Sequence, residues 1–243
     1  MADTLNTEKI VPYALLGITA VTGLVDAVSF LSLGHVFTAN MTGNVAFIAF
    51  AALGRADLSI ARSAVALVAF LTGAVLGGRM MAGITPHSQL RVGSSGLGIE
   101  TVLFVAAMLT AIGYRSIQPE HVIKLYALII LTALAMGVRN ATMRKLAVPD
   151  LTTTVLTLSL TGLAADSSLA RGTNPHWQRR VASIVAMFGG AALGAILVRH
   201  SVSIALAVCV AVSSACALTL FLLSGQVESL GHSGTSLTDK NGR

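Results

Sequence analysis

Asp26 is the residue whose type and position most clearly predict chemistry in this 243-residue chain. It lies in an apolar run at about 11–33, seven residues before the end of the run, which places it about 10 Å from that end if the run is helical. A carboxylate at that depth is costly and usually faces a cavity or a partner. Two interpretations stay open: a proton, cation or substrate site, or a structural carboxylate that pairs with an arginine or caps a broken segment.

Two short segments supply hydroxyl and amide groups, one at the start of a run at 38–54 and one at the start of a run at 151–165. If each starts a half-helix, its side chains and free backbone N–H groups form a site for an anion or polar solute. The alternative is that these residues only cap the helices. The candidate substrate-binding residues are Asp26, Asn40, Thr42, Gly43, Asn44, Asn140, Thr152, Thr153, Thr154 and Thr157.

Other charged residues are expected to have smaller roles. Arg139 is a candidate to pair with Asp26, whereas Glu100, four residues into its run, is expected to mark the membrane interface. Asp57 and Asp166 follow the two short runs and are expected to be interfacial caps or loop charges. The six histidines show no metal-ligand spacing, so the sequence predicts no metal site, and nothing in it predicts a cofactor.

The composition decides which kind of fold must position these residues. The chain is 54% hydrophobic and only 11% charged, whereas about 25% is usual for soluble domains. This scarcity excludes a soluble globular protein, and the high apolar content excludes a disordered chain. The net charge of +6 forms no basic stripe, so nucleic acid is not an expected partner. The sequence predicts an all-α polytopic membrane protein, with the lipid bilayer as its partner.

Eight apolar runs divide the chain, and two of them are too short for an ordinary span. The short runs, at 38–54 and 151–165, are at or below the lower limit for a straight helix across a bilayer. Polar backbone at membrane depth is tolerated where it is buried in protein or lines a cavity. The longer runs lie at roughly 11–33, 62–84, 96–114, 122–142, 181–199 and 202–224.

The short runs occupy matching places in an internal repeat. Residues 23–27 align with 137–141 at an offset of 114, and residues 73–77 align with 190–194 at an offset of 117. We expect one membrane domain at 1–225, with repeat one at about 11–114 and repeat two at about 122–224, and a disordered tail at 226–243. Each repeat contains one long, one short and two long helices.

The span count determines how the repeats are related. Eight spans make the repeats parallel, whereas six spans with two re-entrant segments make them inverted. Counting Lys and Arg on the N-terminal and opposite sides gives 10 against 6 for eight spans and 11 against 5 for six. Both counts place the N- and C-termini in the cytoplasm. The shortness and polarity of the short runs favour the inverted arrangement.

Two GxxxG pairs, Gly73/Gly77 and Gly190/Gly194, occupy equivalent spans. Small residues at this spacing allow two helix backbones to approach closely. We interpret the pairs as internal helix packing in preference to dimerisation, which leaves a homo-oligomer open.

The polar segments also resemble a known family. Residues 23–31 (GLVDAVSFL) and 36–44 (VFTANMTGN) resemble the opening signature of the YoaK-like family, bacterial membrane proteins with domain of unknown function 1275. Residues 135–141 and 152–157 resemble its second motif, and the resemblance covers nearly the whole chain. Met41 stands where a glutamine is expected, which removes one polar contact from the site. The resemblance implies a multi-pass protein of the bacterial inner membrane and brings no substrate.

The function expected from these features is a small secondary transporter or permease for a small polar or anionic solute. A repeat combined with interrupted helices is the sequence pattern that best indicates a transporter site. Metalloprotease, hydrolase, P-loop and CxxC motifs are absent from the sequence, so we do not expect an enzyme. A non-transporting structural or accessory protein and a passive channel remain the alternatives.

Overall fold

A computed structural model describes residues 2–82, 89–115, 121–146 and 156–238. This part of the chain is all-α and contains no strand, as predicted. Every apolar run corresponds to a helix. The helices are α1 (Ala2–Ser32), α2 (Met41–Ala52), α3 (Ile60–Met80), α4 (Gln89–Thr110), α5 (Val122–Leu146), α6 (Leu156–Ala165), α7 (Trp177–Val198) and α8 (Val202–Thr238).

Six of these helices, α1, α3, α4, α5, α7 and α8, are long and apolar enough to cross a membrane. The other two, α2 and α6, have 12 and 10 residues. At 1.5 Å per residue they are about 18 and 15 Å long, well short of the hydrocarbon core of about 30 Å. We refer to α2 and α6 as the half-helices. The chain is therefore a multi-pass membrane protein.

The first half-helix belongs to a re-entrant segment. Gly34 and His35 follow α1 in the left-handed region, with φ of 82° and 58°, and reverse the chain direction. The Arg62 guanidinium, in the first turn of α3, donates a hydrogen bond to the Gly34 carbonyl at 2.7 Å. Since α3 begins beside the end of α1, the intervening segment enters the protein and returns to the same side.

The glycine pairs show the direction of the neighbouring spans. Gly73 and Gly77 of α3 lie against the backbone of Leu134 and Val138 of α5, so these two helices run parallel. Because Gly73 has no Cβ, the Leu134 carbonyl can occupy the space that a side chain would fill. This contact lies within the chain, as internal helix packing requires.

The same arrangement recurs between α7 and α1. Gly190 lies against Ala20 and Gly194 against Leu24, so these helices are also parallel. In contrast, α4 and α8 are antiparallel: Ser203, near the start of α8, donates to the Met108 carbonyl near the end of α4. The α1 and α5 helices therefore run in opposite directions. The second repeat is inverted relative to the first, and the six-span arrangement favoured above is the observed one.

Two helix boundaries differ from the sequence prediction. The α4 helix begins at Gln89, whereas the apolar run in the sequence begins at about 96. The Ser/Gly-rich residues before 96 are polar and nevertheless helical. The α8 helix extends to Thr238 and covers most of the segment 226–243 that the sequence predicts to be disordered. No proline follows Val202 to interrupt the backbone hydrogen bonds of α8.

Both repeats contribute to one buried apolar cluster between the long helices. Its members include Val25 of α1, Phe104 of α4, Met136 of α5 and Leu206 of α8. The polar residues described next interrupt this core, and their position therefore depends on helices from both halves.

Candidate functional site

A cavity of about 450 Å³ lies between the two repeats. Its volume falls in the range of small-molecule sites. It is bordered by α1, α3, α5 and α7, by the start of α6, and by the segment that leads into α2. The lining residues are Thr19, Thr22, Asp26, Ala39, Asn40, Met41, Thr42, Phe70, Arg139, Asn140, Leu156, Thr157 and Met187.

Asp26 borders this cavity and holds the entrance to the first half-helix. Its side chain is buried, and Oδ1 accepts a hydrogen bond from the Ala39 backbone N–H at 2.9 Å. The backbone amides of Thr38 and Asn40 flank the same carboxylate. The negative charge therefore faces the positive N-terminal end of α2. Asp26 therefore caps the broken segment, which is one of the two roles left open above, and it also borders the cavity.

The predicted pair between Asp26 and Arg139 is wrong, because Arg139 pairs with Glu100. Arg139 Nε donates to Glu100 Oε2 at 2.7 Å, and Arg139 Nη2 donates to Glu100 Oε1. Both side chains are fully buried. The prediction that Glu100 marks the membrane interface is also wrong. Since α4 begins at Gln89, Glu100 lies in the middle of that helix and not near its start.

Further contacts extend this ion pair into a network across four helices. Arg139 Nη1 donates to the Ile18 carbonyl at 3.1 Å and to Thr22 Oγ1 at 3.0 Å, both on α1. Ser213 of α8 donates to Glu100 Oε1 at 2.7 Å. Because Arg139 and Thr22 also line the cavity, the network forms part of its wall. Thr22 and Ser213 cannot be identified from the sequence, since lone hydroxyl residues in apolar runs carry no distinguishing signal.

Asn44 and Gly43 do not line the cavity, although the sequence places them among the substrate-binding candidates. The fully buried Asn44 side chain accepts from the Phe37 N–H at 2.9 Å and donates to the Phe37 carbonyl at 2.6 Å. It therefore holds the backbone of the re-entrant segment. Gly43 lies against the Phe37 ring, where a Cβ would collide with it. Phe37 also stacks between Phe30 and Phe47, with centroid distances of 5.2 and 5.5 Å.

Asn40 and Thr42 line the cavity at the start of α2. The Asn40 side chain also caps this half-helix by accepting from the Gly43 N–H at 3.4 Å, so capping and cavity lining are combined in one residue. Met41, which replaces the expected glutamine, contributes an apolar side chain to the wall.

The second repeat contributes Asn140 and Thr157 to the cavity. Asn140 occupies the position equivalent to Asp26 and donates to the Met136 carbonyl within its own helix at 2.8 Å. Thr157 lies in the first turn of the second half-helix. The N-terminal ends of both half-helices therefore border one cavity. Thr152, Thr153 and Thr154 lie outside the described residues.

The two remaining acidic candidates lie in loops, as expected. Asp57 pairs with Arg55 at 3.1 Å in the exposed connection before α3, and this hydrogen bond lowers the pKa of the carboxyl group. Asp166 follows α6 and accepts from Arg180 at 2.7 Å, which ties the end of the half-helix to the first turn of α7.

Comparison with known proteins identifies relatives but no activity. The family model described as "Protein of unknown function (DUF1275)" matches residues 14–219. The UPF0700 transmembrane protein YoaK of Bacillus subtilis (strain 168) is 35% identical over 156 residues. The match covers 64% of this chain and 65% of the relative, slightly less than two thirds of its length. No solved structure matches the chain.

Proposed function

The chain belongs to the DUF1275 family of proteins of unknown function, and we propose that it is a small secondary transporter, or permease, for a small polar or anionic solute. The observation that carries the proposal is the cavity between inverted repeats, bordered by the N-terminal ends of both half-helices. Binding sites of secondary transporters are commonly built in this way, from discontinuous helices at a repeat interface.

The charge distribution around the cavity supports a polar or anionic solute. Half-helix N-termini carry partial positive charge and unpaired backbone N–H groups. Asp26 balances this charge at the entrance to α2, whereas its equivalent in the second repeat, Asn140, is neutral. The cavity wall also contains the Arg139 guanidinium and the hydroxyl groups of Thr22 and Thr157.

We further propose that the protein lies in the bacterial inner membrane with its N-terminus in the cytoplasm. On the side of the α1 N-terminus, the described helix ends and loops carry eight Lys or Arg residues: Lys9, Arg79, Arg91, Arg144, Lys145, Arg171, Arg179 and Arg180. The opposite side carries five: Arg55, Arg62, Arg115, Lys124 and Arg199. Basic residues accumulate on the cytoplasmic side of bacterial membrane proteins, and α8 ends on that same side.

The rival functions make different use of the cavity. A structural or accessory protein has no need of a polar cavity between its halves, because apolar packing fills such a space at lower cost. A passive channel uses it as a pore, with flux that does not saturate. An enzyme would need reactive groups aligned on a substrate, and we propose a transport role in preference to catalysis.

The proposal is tested by finding the solute and measuring its uptake. Metabolite profiling of a deletion strain and its complemented parent identifies candidates, and uptake of each labelled candidate is then measured in proteoliposomes. We expect saturable uptake that Thr157→Val lowers at least tenfold. Thr219→Val is the matched control, because Thr219 is half-buried on α8, does not line the cavity and donates to the Ala215 carbonyl of its own helix.

Two results would contradict the proposal. Equal uptake by the Thr157→Val variant and the Thr219→Val control would show that the cavity is not the solute site. Uptake proportional to solute concentration, without saturation, would favour the channel.

A further inference from the structure

The position in the first repeat that is equivalent to Arg139, a member of the buried ion pair with Glu100, carries no charge. The repeat offset of 114 that aligns Gly23 with Gly137 also aligns Val25 with Arg139. Val25 is fully buried in the apolar cluster. The inverted-repeat fold therefore accommodates a hydrophobic side chain at this position and does not require an ion pair there.

A buried ion pair by itself also contributes little to the stability of a folded protein. Removing two charges from water costs free energy that their attraction often fails to recover, and well-packed apolar residues commonly do as well or better. Charged residues inside membrane spans usually mark substrate or proton pathways. The Arg139–Glu100 pair fits this pattern because Arg139 forms part of the cavity wall.

We propose that Arg139 is the residue that recognises the solute, that the solute is a small organic anion with a carboxylate group, and that Glu100 releases Arg139 to it by taking up a proton. This inference rests on the transport function proposed above and deepens it. In the structure, Arg139 is in its resting state, with Glu100 in the place that a solute carboxylate would take.

Arg139 is buried in the resting state and lies in the wall of the cavity, so a movement of its own side chain would bring the guanidinium to a solute. Arg139 Nη1 is hydrogen-bonded to Thr22 Oγ1 at 3.0 Å, and both residues border the cavity. A planar guanidinium fork matches the two oxygens of a carboxylate. Phe70 and Met187 provide an apolar surface in the same cavity for the organic part of the anion.

The exchange of partners balances in charge and atoms. Once Arg139 turns toward the cavity, the two hydrogen bonds that it donates to Glu100 are lost, and a proton from water adds to a Glu100 carboxylate oxygen. Ser213, which donates to Glu100 in the resting state, can accept a hydrogen bond from the new O–H. Arg139 stays protonated and binds the solute carboxylate. When the solute leaves, Glu100 returns the proton to water, so one proton accompanies each monoanion.

Other titratable groups face this pair from the surrounding helices. Asp26 of α1 interacts electrostatically with Arg139, and the thiols of Cys209 and Cys216 of α8 interact with both members of the pair. Comparing the pH dependence of carboxylate binding between wild type and the Glu100→Gln variant separates the contribution of these groups from that of Glu100.

The test measures carboxylate binding to the purified full-length protein in detergent. The probes are benzoate and lactate, with benzamide, lactamide and inorganic phosphate as comparisons, each assayed by thermal shift between pH 6 and pH 8. We expect the carboxylates to bind and the amides not to bind. Wild-type affinity is expected to rise on acidification, since one proton is taken up with each anion.

The Glu100→Gln variant mimics the protonated state. It is expected to bind the carboxylates at least tenfold more tightly than wild type at pH 8, with no dependence on pH. Because Arg139→Gln alone leaves Glu100 buried without its partner and is at risk of misfolding, the control is the double variant Glu100→Gln/Arg139→Gln. It removes both charges and is expected to fold without binding either carboxylate.

Three results would overturn the inference: no carboxylate binding by wild type at pH 6 or by Glu100→Gln, equal binding of amides, or tighter binding of phosphate. Failure of the two proposals can be told apart. If the double variant transports the solute as wild type does while Thr157→Val does not, only the role of Arg139 is wrong. If carboxylates bind as described but none accumulates in vesicles, the recognition site stands and the transport function is wrong.

Discussion

At the scale of single residues, similar polar side chains in this protein perform different work. The Asn44 amide accepts from the Phe37 N–H and donates to the Phe37 carbonyl. In contrast, one Asp26 oxygen accepts from the Ala39 N–H, and Asp26 also lines the cavity. Polarity alone does not separate these roles, because both are polar residues within apolar runs. The difference arises from which buried backbone groups need a partner in the folded chain.

Replacing Asn44 by alanine is expected to destabilise the protein strongly. The change leaves the buried N–H and C=O of Phe37 without partners, at a cost of about 2–4 kcal/mol in total. Thermal unfolding of the purified protein in detergent measures this. Thr42→Ala is the control, since Thr42 is exposed at the cavity and should change the melting temperature little. Equal melting temperatures for the two variants would contradict the structural role of Asn44.

Asp26 permits a test that separates its hydrogen bond from its charge. Asp26→Asn keeps an oxygen that can accept from the Ala39 N–H, whereas Asp26→Leu leaves that N–H unsatisfied. We expect the leucine variant to be less stable than the asparagine variant by about 1–3 kcal/mol. The comparison uses the same unfolding assay. A leucine variant at least as stable as the asparagine variant would show that the contact with Ala39 does not hold the re-entrant segment.

At the scale of helices, the sequence predicts which helices exist and how long they are better than it predicts the contacts between them. All eight helices and the shortness of α2 and α6 follow from the apolar runs, because run length relative to bilayer thickness is a strong local signal. The start of α4 is missed, because the apolar run begins only after Arg91 and the serines that follow it, whereas the helix begins before them. That error misplaces Glu100. Its pairing with Arg139, 39 residues away, depends on how α4 and α5 pack and has no local signal.

The adjacent glycines of α7 provide a matched test of helix packing. Gly190 touches the Ala20 backbone of α1, so a Cβ at this position would collide with a carbonyl group. Gly189 faces open space. Gly190→Ala is expected to destabilise the protein by about 1–3 kcal/mol through overpacking, and Gly189→Ala is expected to have little effect. Melting temperatures in detergent compare the two, and similar values would contradict the close α1–α7 packing.

At the scale of the whole molecule, the inverted architecture brings the two half-helices to one cavity. The sequence repeat predicts two related halves, but loop charge does not choose between parallel and inverted arrangements. The choice depends on where α3 begins, which the contact between Arg62 and Gly34 determines. This contact joins residues 28 positions apart and has no signature in the hydropathy pattern.

The inverted arrangement predicts opposite exposure for two loop positions. Ala56 follows the first half-helix and Ala170 follows the second, and both are exposed. In a background without Cys209 and Cys216, Ala56→Cys and Ala170→Cys should react with an impermeant maleimide from opposite sides of the membrane. Right-side-out and inside-out vesicles measure this. Labelling of both positions from the same side would indicate eight spans and parallel repeats.

The central claim is that the cavity is a solute site reached alternately from the two sides of the membrane. The most direct test is to label Thr42→Cys, a cavity-lining position, with a small impermeant methanethiosulfonate reagent applied separately to right-side-out and inside-out vesicles. We expect modification of Thr42→Cys from both sides, whereas Ala56→Cys should react from one side only. Modification of Thr42→Cys from a single side, or from neither, would contradict it.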